Sequence, residues 1–354
     1  MCSRKVKSGL ILLTVFILAS ANLQADAAED ETYKWRMATS YPAGSPAYKY
    51  MPEIFAKQVE EMSGGRMKIK VLPGGTVAPP WETTNAVLKG IVEMGHTWPG
   101  YDIGRNPTTV LLAGYPGSMA SVGMLHWLYV GGGEELWQQF RLEKFGVMTF
   151  VCGITPPEAF AHSHKPLRTL TDFKGFKMRT VGAWAQILPK LGASVISLPT
   201  AEVYQALERK IIDGTEYSSP GLNIIMGLHE VAKYVIVPGA HQPSTTLELA
   251  ISKEKWGALP ADLKAIIKQA AIETTFTAWV KFGQLDMKAL DTFEKNGNEI
   301  IFLEPAVQEQ IHKLGKEWAQ THASENEWFR KIFDSQEAFK KQWKTLGNIR
   351  YLEN

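Results

Sequence analysis

Along the first hundred residues the hydrophobic positions switch repeatedly between a strand-like and a helix-like pattern. Tyr33–Thr39 and Met67–Leu72 read as strands, and the stretch between them, Tyr48 to Met62, has helical spacing and stops at Ser63-Gly64-Gly65. Trp81–Lys89 predicts a second helix, after which Gly90 leads into a third strand over Ile91–Thr97. This β-α-β-α-β alternation predicts an open, mostly parallel sheet of an α/β protein. Gly146–Gly153 is a continuous apolar run of the kind that crosses a domain interior. A second alternation follows, with strands at Lys177–Thr180, Ser194–Ser197, Thr215–Ser218 and Tyr234–Val237, and Thr245–Ser252 is another long strand. Two long strands that bracket an α/β segment predict two lobes joined by paired crossovers, with a cleft that closes by small dihedral changes there. On this reading residues 28–152 with 247–260 make lobe one and 153–246 make lobe two. Beyond Pro260 the chain turns helical. Ala261–Lys295 has no internal proline and predicts one long helix that braces both lobes, or that pairs two copies if one side is exposed. Pro305–Trp318 and Gln336–Trp343 add helices to this tail over 261–354.

The run from Leu198 to Ser219 carries the sharpest local signal. Thr200 is placed to cap a helix, Glu202 lies in its positive first turn, and Arg209 and Lys210 fall in its negative last turn. Val203, Tyr204, Leu207 and Ile211 recur at three- and four-residue spacing and predict one buried face. Asp213-Gly214 breaks the helix and sends Thr215-Glu216-Tyr217 outward, so Glu216 arrives at a strand tip. In an open α/β sheet ligands bind there.

At the N-terminus Arg4, Lys5 and Lys7 precede an apolar stretch from Leu10 to Ala19, and Ala25-Asp26-Ala27 offers a small-x-small cleavage site. These features predict a cleaved signal peptide over residues 1–27, since the apolar stretch is shorter than a bilayer span; an uncleaved anchor is the rival reading. Cys2 stands before the apolar stretch, which argues against a lipid anchor. Cleavage would remove three basic residues and one acidic, taking the formal charge from +2 to zero. A neutral balance gives no basic surface for nucleic acid. Only Cys152 would remain, so the fold is expected to rely on its core and not on a disulfide.

Catalytic signatures are missing from the sequence. It has no Gly-x-x-x-x-Gly-Lys, no Gly-x-Gly-x-x-Gly and no Gly-x-Ser-x-Gly, and His229-Glu230 lacks the second histidine of a zinc-protease helix. Gly131-Gly132-Gly133 runs into Glu134-Glu135, acids that repel phosphate, and reads as a loop before a helix. His162-x-His164 reads as a solvated turn and not as a metal pinch.

Several segments, in order and spacing, resemble the solute-binding subunits of tripartite ATP-independent periplasmic (TRAP) transporters. They are the helix leading to Asp213-Gly214-x-Glu216-Tyr217, the Ser40-Tyr41-Pro42 that follows the opening strand, the span from Gly95-His96 to Pro107, Lys174-Gly175-Phe176-Lys177-Met178-Arg179, and Gly239-Ala240-His241-Gln242-Pro243. The resemblance implies a two-lobed periplasmic binding protein fold, type II-like, and a periplasmic receptor without enzymatic activity that passes its ligand to the transporter's membrane subunits. It also implies roles for individual residues. Arg179 matches the arginine that clamps the ligand's carboxylate, and Tyr101 matches a tyrosine reaching the ligand from the other lobe. One branch of the family binds 2-oxo or 2-hydroxy acids through a cation. There the matching positions are Glu158, Glu216-Tyr217 and Gln242, with glutamate and glutamine exchanged between the first and last places. Two carboxylates and an amide oxygen suit a hard cation, Na⁺ or Ca²⁺. The alternative is an amino-acid receptor with Glu158 on the ligand's ammonium group. An acid/base pair of Glu158 and Glu216 in an exported lyase or hydrolase is the third reading, and no nucleophile accompanies it. Trp98, Trp81 and Phe160 are candidates for a wall against the ligand's side chain, which would favour a bulky or aromatic acid, although core packing is the ordinary role of each.

Overall fold

The computed structural model describes residues 32–198 and 200–350. The signal peptide expected over residues 1–27 lies outside them, and the expected cap falls on the Thr200 side chain, which is likewise not described.

Two sheets carry the architecture. The first has the order β2-β1-β3-β10-β4, built from β1 (Tyr33–Thr39), β2 (Met67–Leu72), β3 (Met94–Thr97), β4 (Val147–Thr155) and β10 (Thr245–Ser252). The second runs β11-β9-β5-β8-β6-β7, from β5 (Ala161–Ser163), β6 (Lys177–Arg179), β7 (Ser194–Ile196), β8 (Gly214–Thr215), β9 (Tyr234–Val237) and β11 (Glu299–Phe302). Each sheet is parallel except for one reversed strand: β10 runs against β3 and β4, and β5 runs against β8 and β9. Both reversed strands lie beside the crossovers. β4 and β10 pair up to Thr155 opposite Thr245, and from there the chain passes side by side into the second sheet. Their sequences suit that position, because VMTFVCGIT and TTLELAIS are buried almost throughout and never present a wet face.

The long helix occupies Ala261–Lys295 and serves both sheets. Leu263, Ile267, Ala270 and Ala271 pack with Trp35, Phe55, Phe150 and Leu249 over the first sheet. Farther along, Ala278 and Phe282 meet Met51, Leu222 and Leu247, and near its end Ala289 and Phe293 pack with Ala159 and Val235 beside the second. Helices Pro305–Glu325 and Glu327–Arg350 follow.

Four expectations change. β5 was read as a solvated turn, yet His162 is fully buried within it, its Nε2 3.1 Å from Asn223 Nδ2 and its ring against Phe293. A three-residue strand is too short to show a period. β11 lies in the tail expected to be helical and pairs in parallel with β9, so the tail also extends the second sheet. On the helix Thr200–Glu208, Val203 and Leu207 are buried as expected, but Ile211 is 53% exposed and Ile212 takes the buried place, because the helix has already ended at Glu208. The third strand begins at Met94, since Ile91 lies in the bend before it.

Candidate functional site

Four loop segments meet where the crossovers emerge from the first sheet. Arg179 ends β6 and pairs with Thr215, the last residue of the parallel neighbour β8, so Arg179 and Glu216 leave adjacent strands at their carboxyl ends. Glu158 lies on the crossover between β4 and β5, and His241-Gln242 on the return between β9 and β10. The two crossovers are tied directly, the Glu158 amide donating to the Gln242 carbonyl at 3.2 Å. A short helical turn after β3, Pro99–Asp102, adds Trp98 and Tyr101. Together they line a cavity of about 130 Å³.

Charge is concentrated on one side of that cavity. The Arg179 guanidinium is buried, its Nη1 3.4 Å from Glu216 Oε1 and 3.3 Å from the Glu216 carbonyl, while Nε donates to the Leu198 carbonyl at 3.4 Å. These contacts are long for charge-assisted bonds, and they engage only Nε and Nη1 among the described residues. Glu158 accepts from Thr245 Oγ1 at 2.9 Å and lies 3.3 Å from His241 Nε2. Glu158, Glu216 and His241 each offer a ligand atom within 4.8 Å of the others. Burial pushes the Glu158 carboxyl up to about 8, with Thr245 and Arg179 opposing the rise, and it raises Glu216 in the same direction. Burial also lowers His241 to about 4, so its imidazole is neutral. Two acids and a neutral imidazole facing one space form a donor set that a positive charge would stabilise, and a hard cation fits it. Gln242 spends its amide nitrogen on the Ala113 carbonyl at 2.7 Å and Thr245 Oγ1 at 3.2 Å, which leaves its oxygen to accept.

The first-lobe side is anchored from beneath. Tyr101 packs edge-on to Trp98, with ring centroids 5.2 Å apart, and the Trp98 indole N–H donates to Ala113 O at 3.0 Å. Asp102, next in the chain, accepts from Arg141 Nη2 and Thr84 Oγ1, both at 2.9 Å. Arg141 Nη2 also reaches Glu248 Oε1 on β10 at 2.5 Å, and Trp137 Nε1 donates to Glu248 Oε2 at 2.7 Å. The tyrosine turn is thereby fastened to a strand that leads to the crossover.

Of the residues singled out from sequence, Arg179, Glu158, Glu216, Tyr217, Gln242, Tyr101 and Trp98 all line the cavity. Two others do not. Trp81 sits 49% exposed on the turn Pro80–Glu82, away from the lining. Phe160 is fully buried under the site, edge-on to His241 at 5.2 Å and against Trp184 and Phe173, where its apolar ring packs against apolar neighbours. The apolar part of the lining comes instead from Ala47, Met51, Leu222 and Leu247 with Trp98 and Trp184. His241 and Thr245 went unrecognised as participants. His241 was visible in the same turn as Gln242, while nothing in a strand sequence marks Thr245.

The family model for DctP, bacterial extracellular solute-binding protein family 7, matches residues 37–326. A monocarboxylate 2-oxoacid-binding periplasmic protein of Nostoc sp. is 30% identical over 321 residues, covering 90% of this chain and 88% of its own. Among solved structures, a TRAP periplasmic solute-binding protein of Pseudoalteromonas atlantica with bound sodium and pyruvate is 28% identical, with a TM-score of 0.84 over 90% of this chain and 97% of its own. A TRAP periplasmic solute-binding protein of Colwellia psychrerythraea with bound calcium and pyruvate is also 28% identical, with a TM-score of 0.85 over 90% and 98%.

Proposed function

Since the chain belongs to bacterial extracellular solute-binding protein family 7, we propose that it is the TRAP receptor for a small 2-oxo or 2-hydroxy carboxylate, held with a cation, Na⁺ or Ca²⁺. One observation carries this reading: a buried arginine, two buried acids and a neutral histidine converge on one cavity between the sheets. Arg179 takes the ligand's carboxylate, and Tyr101 meets it from the first lobe. Glu158, Glu216 and the Gln242 oxygen, with His241 beside them, hold the cation; Tyr217 offers a neutral phenol at most, because burial raises its ionisation. A cation held there would supply positive charge to stabilise the two buried acids and the ligand's anionic head group. Contacts from both lobes favour the closed form, which is how a ligand of this kind drives closure. The protein binds and releases without chemistry. It acts in the periplasm after removal of residues 1–27 and delivers its cargo to the membrane subunits. The relatives' periplasmic names, and the absence among the described residues of any helix long and apolar enough to cross a membrane, support that location.

Phe276, Val280, Met287 and Leu290 are exposed along one side of the long helix, which supports the helix-mediated homodimer over the monomer. Light scattering at micromolar concentration reads the difference directly.

The ligand reading is tested by thermal shift with pyruvate and Ca²⁺, with and without chelator. A ligand at a thousand times its dissociation constant stabilises by about 4 kcal/mol, and in sodium-free buffer the chelator should abolish that gain. Chelator-insensitive stabilisation by an amino acid would overturn it.

A further inference from the structure

Glu158 and Glu216 stand on different segments, yet one carbonyl ties those segments together. Ser218 O, two residues past Glu216, accepts from the Ala159 amide at 3.0 Å, and Ala159 directly follows Glu158. The Glu158 backbone also lies against Gly239, where a Cβ would come within 2.3 Å of the Glu158 carbonyl oxygen. Contacts of the backbone behind the two acids therefore decide how far apart they stand. A side chain joins them there: Asn223 Nδ2 donates to the same Ser218 oxygen at 2.9 Å. Asn223 is fully buried at the end of the short helix Pro220–Asn223 and does not line the cavity. An amide in such a place is costly unless its bonds are made.

Its orientation is forced. A carbonyl can only accept, so the amide must turn Nδ2 to Ser218 O. The second N–H of Nδ2 then meets His162 Nε2 at 3.1 Å, which makes that ring nitrogen the acceptor and puts the ring proton on Nδ1. The ring is held in β5 against Phe293, and burial keeps it neutral. Asn223 Oδ1 is buried without a partner among the described residues, so the two Nδ2 contacts fix the amide.

Resting on the receptor reading above, we propose that Asn223 is a positioning residue for the cation. It holds the Ser218 carbonyl on Ala159, and so sets the spacing at which Glu158 and Glu216 present their oxygens. His162 is the acceptor that keeps the amide from turning over. Spacing sorts hard cations by size, since Ca²⁺ takes oxygens at about 2.3–2.6 Å and Mg²⁺ at about 2.0–2.1 Å.

The test titrates Ca²⁺ and Mg²⁺ into the mature protein with pyruvate in sodium-free buffer, unaltered and as Asn223→Asp. The substitution is isosteric, but its carboxylate repels Ser218 O and accepts where Nδ2 donated. Ca²⁺ affinity should fall about 10- to 100-fold, the usual loss when a support behind a metal ligand is removed. The preference for Ca²⁺ over Mg²⁺ should narrow by about threefold or more, because the spacing no longer selects an ion by size. A fold merely loosened would weaken both ions by one factor. Without any cation, nitrogen NMR of the His162 ring should show the proton on Nδ1 in the unaltered protein and a proton gained on Nε2 in Asn223→Asp. Should that variant not fold, Asn223→Ala removes the grip without adding charge and should lower Ca²⁺ affinity about tenfold, with the same narrowing. Unchanged Ca²⁺ affinity in a folded variant, equal losses for both ions, or an Nε2–H ring in the unaltered protein overturns the assignment and leaves the receptor reading in place. If the unaltered protein binds no Ca²⁺ with pyruvate, the receptor reading fails and this assignment falls with it.

Discussion

Arg141 and Arg179 are both buried, and both face two acids, yet their surroundings differ. Arg141 bonds Asp102 and Glu248 at 2.9 and 2.5 Å, and the Phe145 ring lies 4.1 Å from its guanidinium carbon. The Trp137 and Phe145 rings lie against it, and its Nε and Nη1 are buried without a hydrogen-bond partner among the described residues. Arg179 meets Glu216 only at 3.4 Å, and it lines a cavity. A buried charge must be paired, and where the protein pairs it tightly the cluster is architecture. Where the pairing is slack and the space is open, a partner from outside can complete it.

Three experiments can break that comparison. The largest effect is expected for Arg141→Met. It strands Asp102 and Glu248 without a counter-charge and should cost about 3–5 kcal/mol of stability in urea unfolding. A loss below 1 kcal/mol would show the triad to be dispensable. Next comes Arg179→Ala, expected to weaken ligand binding by about 30- to 3,000-fold, or about 2–5 kcal/mol, with a smaller loss of stability than Arg141→Met. Unchanged calorimetric affinity would remove the clamp. The smallest effect concerns pH in the cation-free protein. Glu158 rises from 4.5 to about 8 and Glu248 from 4.5 to about 7, both chiefly through burial. A carboxyl held above its unfolded value contributes stability fully present below pH 4.5 and lost as pH climbs through the folded value. Below about pH 6.5 the buried His96, His162 and His241, lowered by burial to about 4, 3 and 4, oppose that loss, because they must be neutral in the folded state. Stability should therefore decline above about pH 7, as Glu158 ionises. Glu158→Gln should flatten that last stretch of the melting-temperature profile; an unaltered slope would assign it to another group.

What the sequence could announce followed from length and position. β1, β2, β10 and the helix over Ala261–Lys295 were legible to the residue, because several periods of pattern leave little freedom in where an element begins. Arg179 and Glu216 were legible as strand-end residues, and Glu158 and Gln242 through their places in a family resemblance. β5 and β11 were not, since three or four residues carry no period and their pairing is decided by distant strands. Trp81 and Phe160 misled for a related reason. An aromatic side chain announces apolar area but not which way it faces, and one proved to be surface and the other core. The apolar part of the lining was invisible for the converse reason: Met51, Leu222 and Leu247 come from separate segments that only the folded chain brings together.

The helix over Ala261–Lys295 has no proline and is fastened at both ends, to the first sheet through Leu263 and Ile267 and to the second through Ala289 and Phe293. The Gly221 amide pins it again in between, donating to Asp286 Oδ1 at 2.7 Å. A rod clamped across a gap cannot let the gap widen without flexing, so it acts as a leaf spring. Its relaxed curvature sets a resting gape for the empty molecule, and each swing away from that gape meets an elastic return.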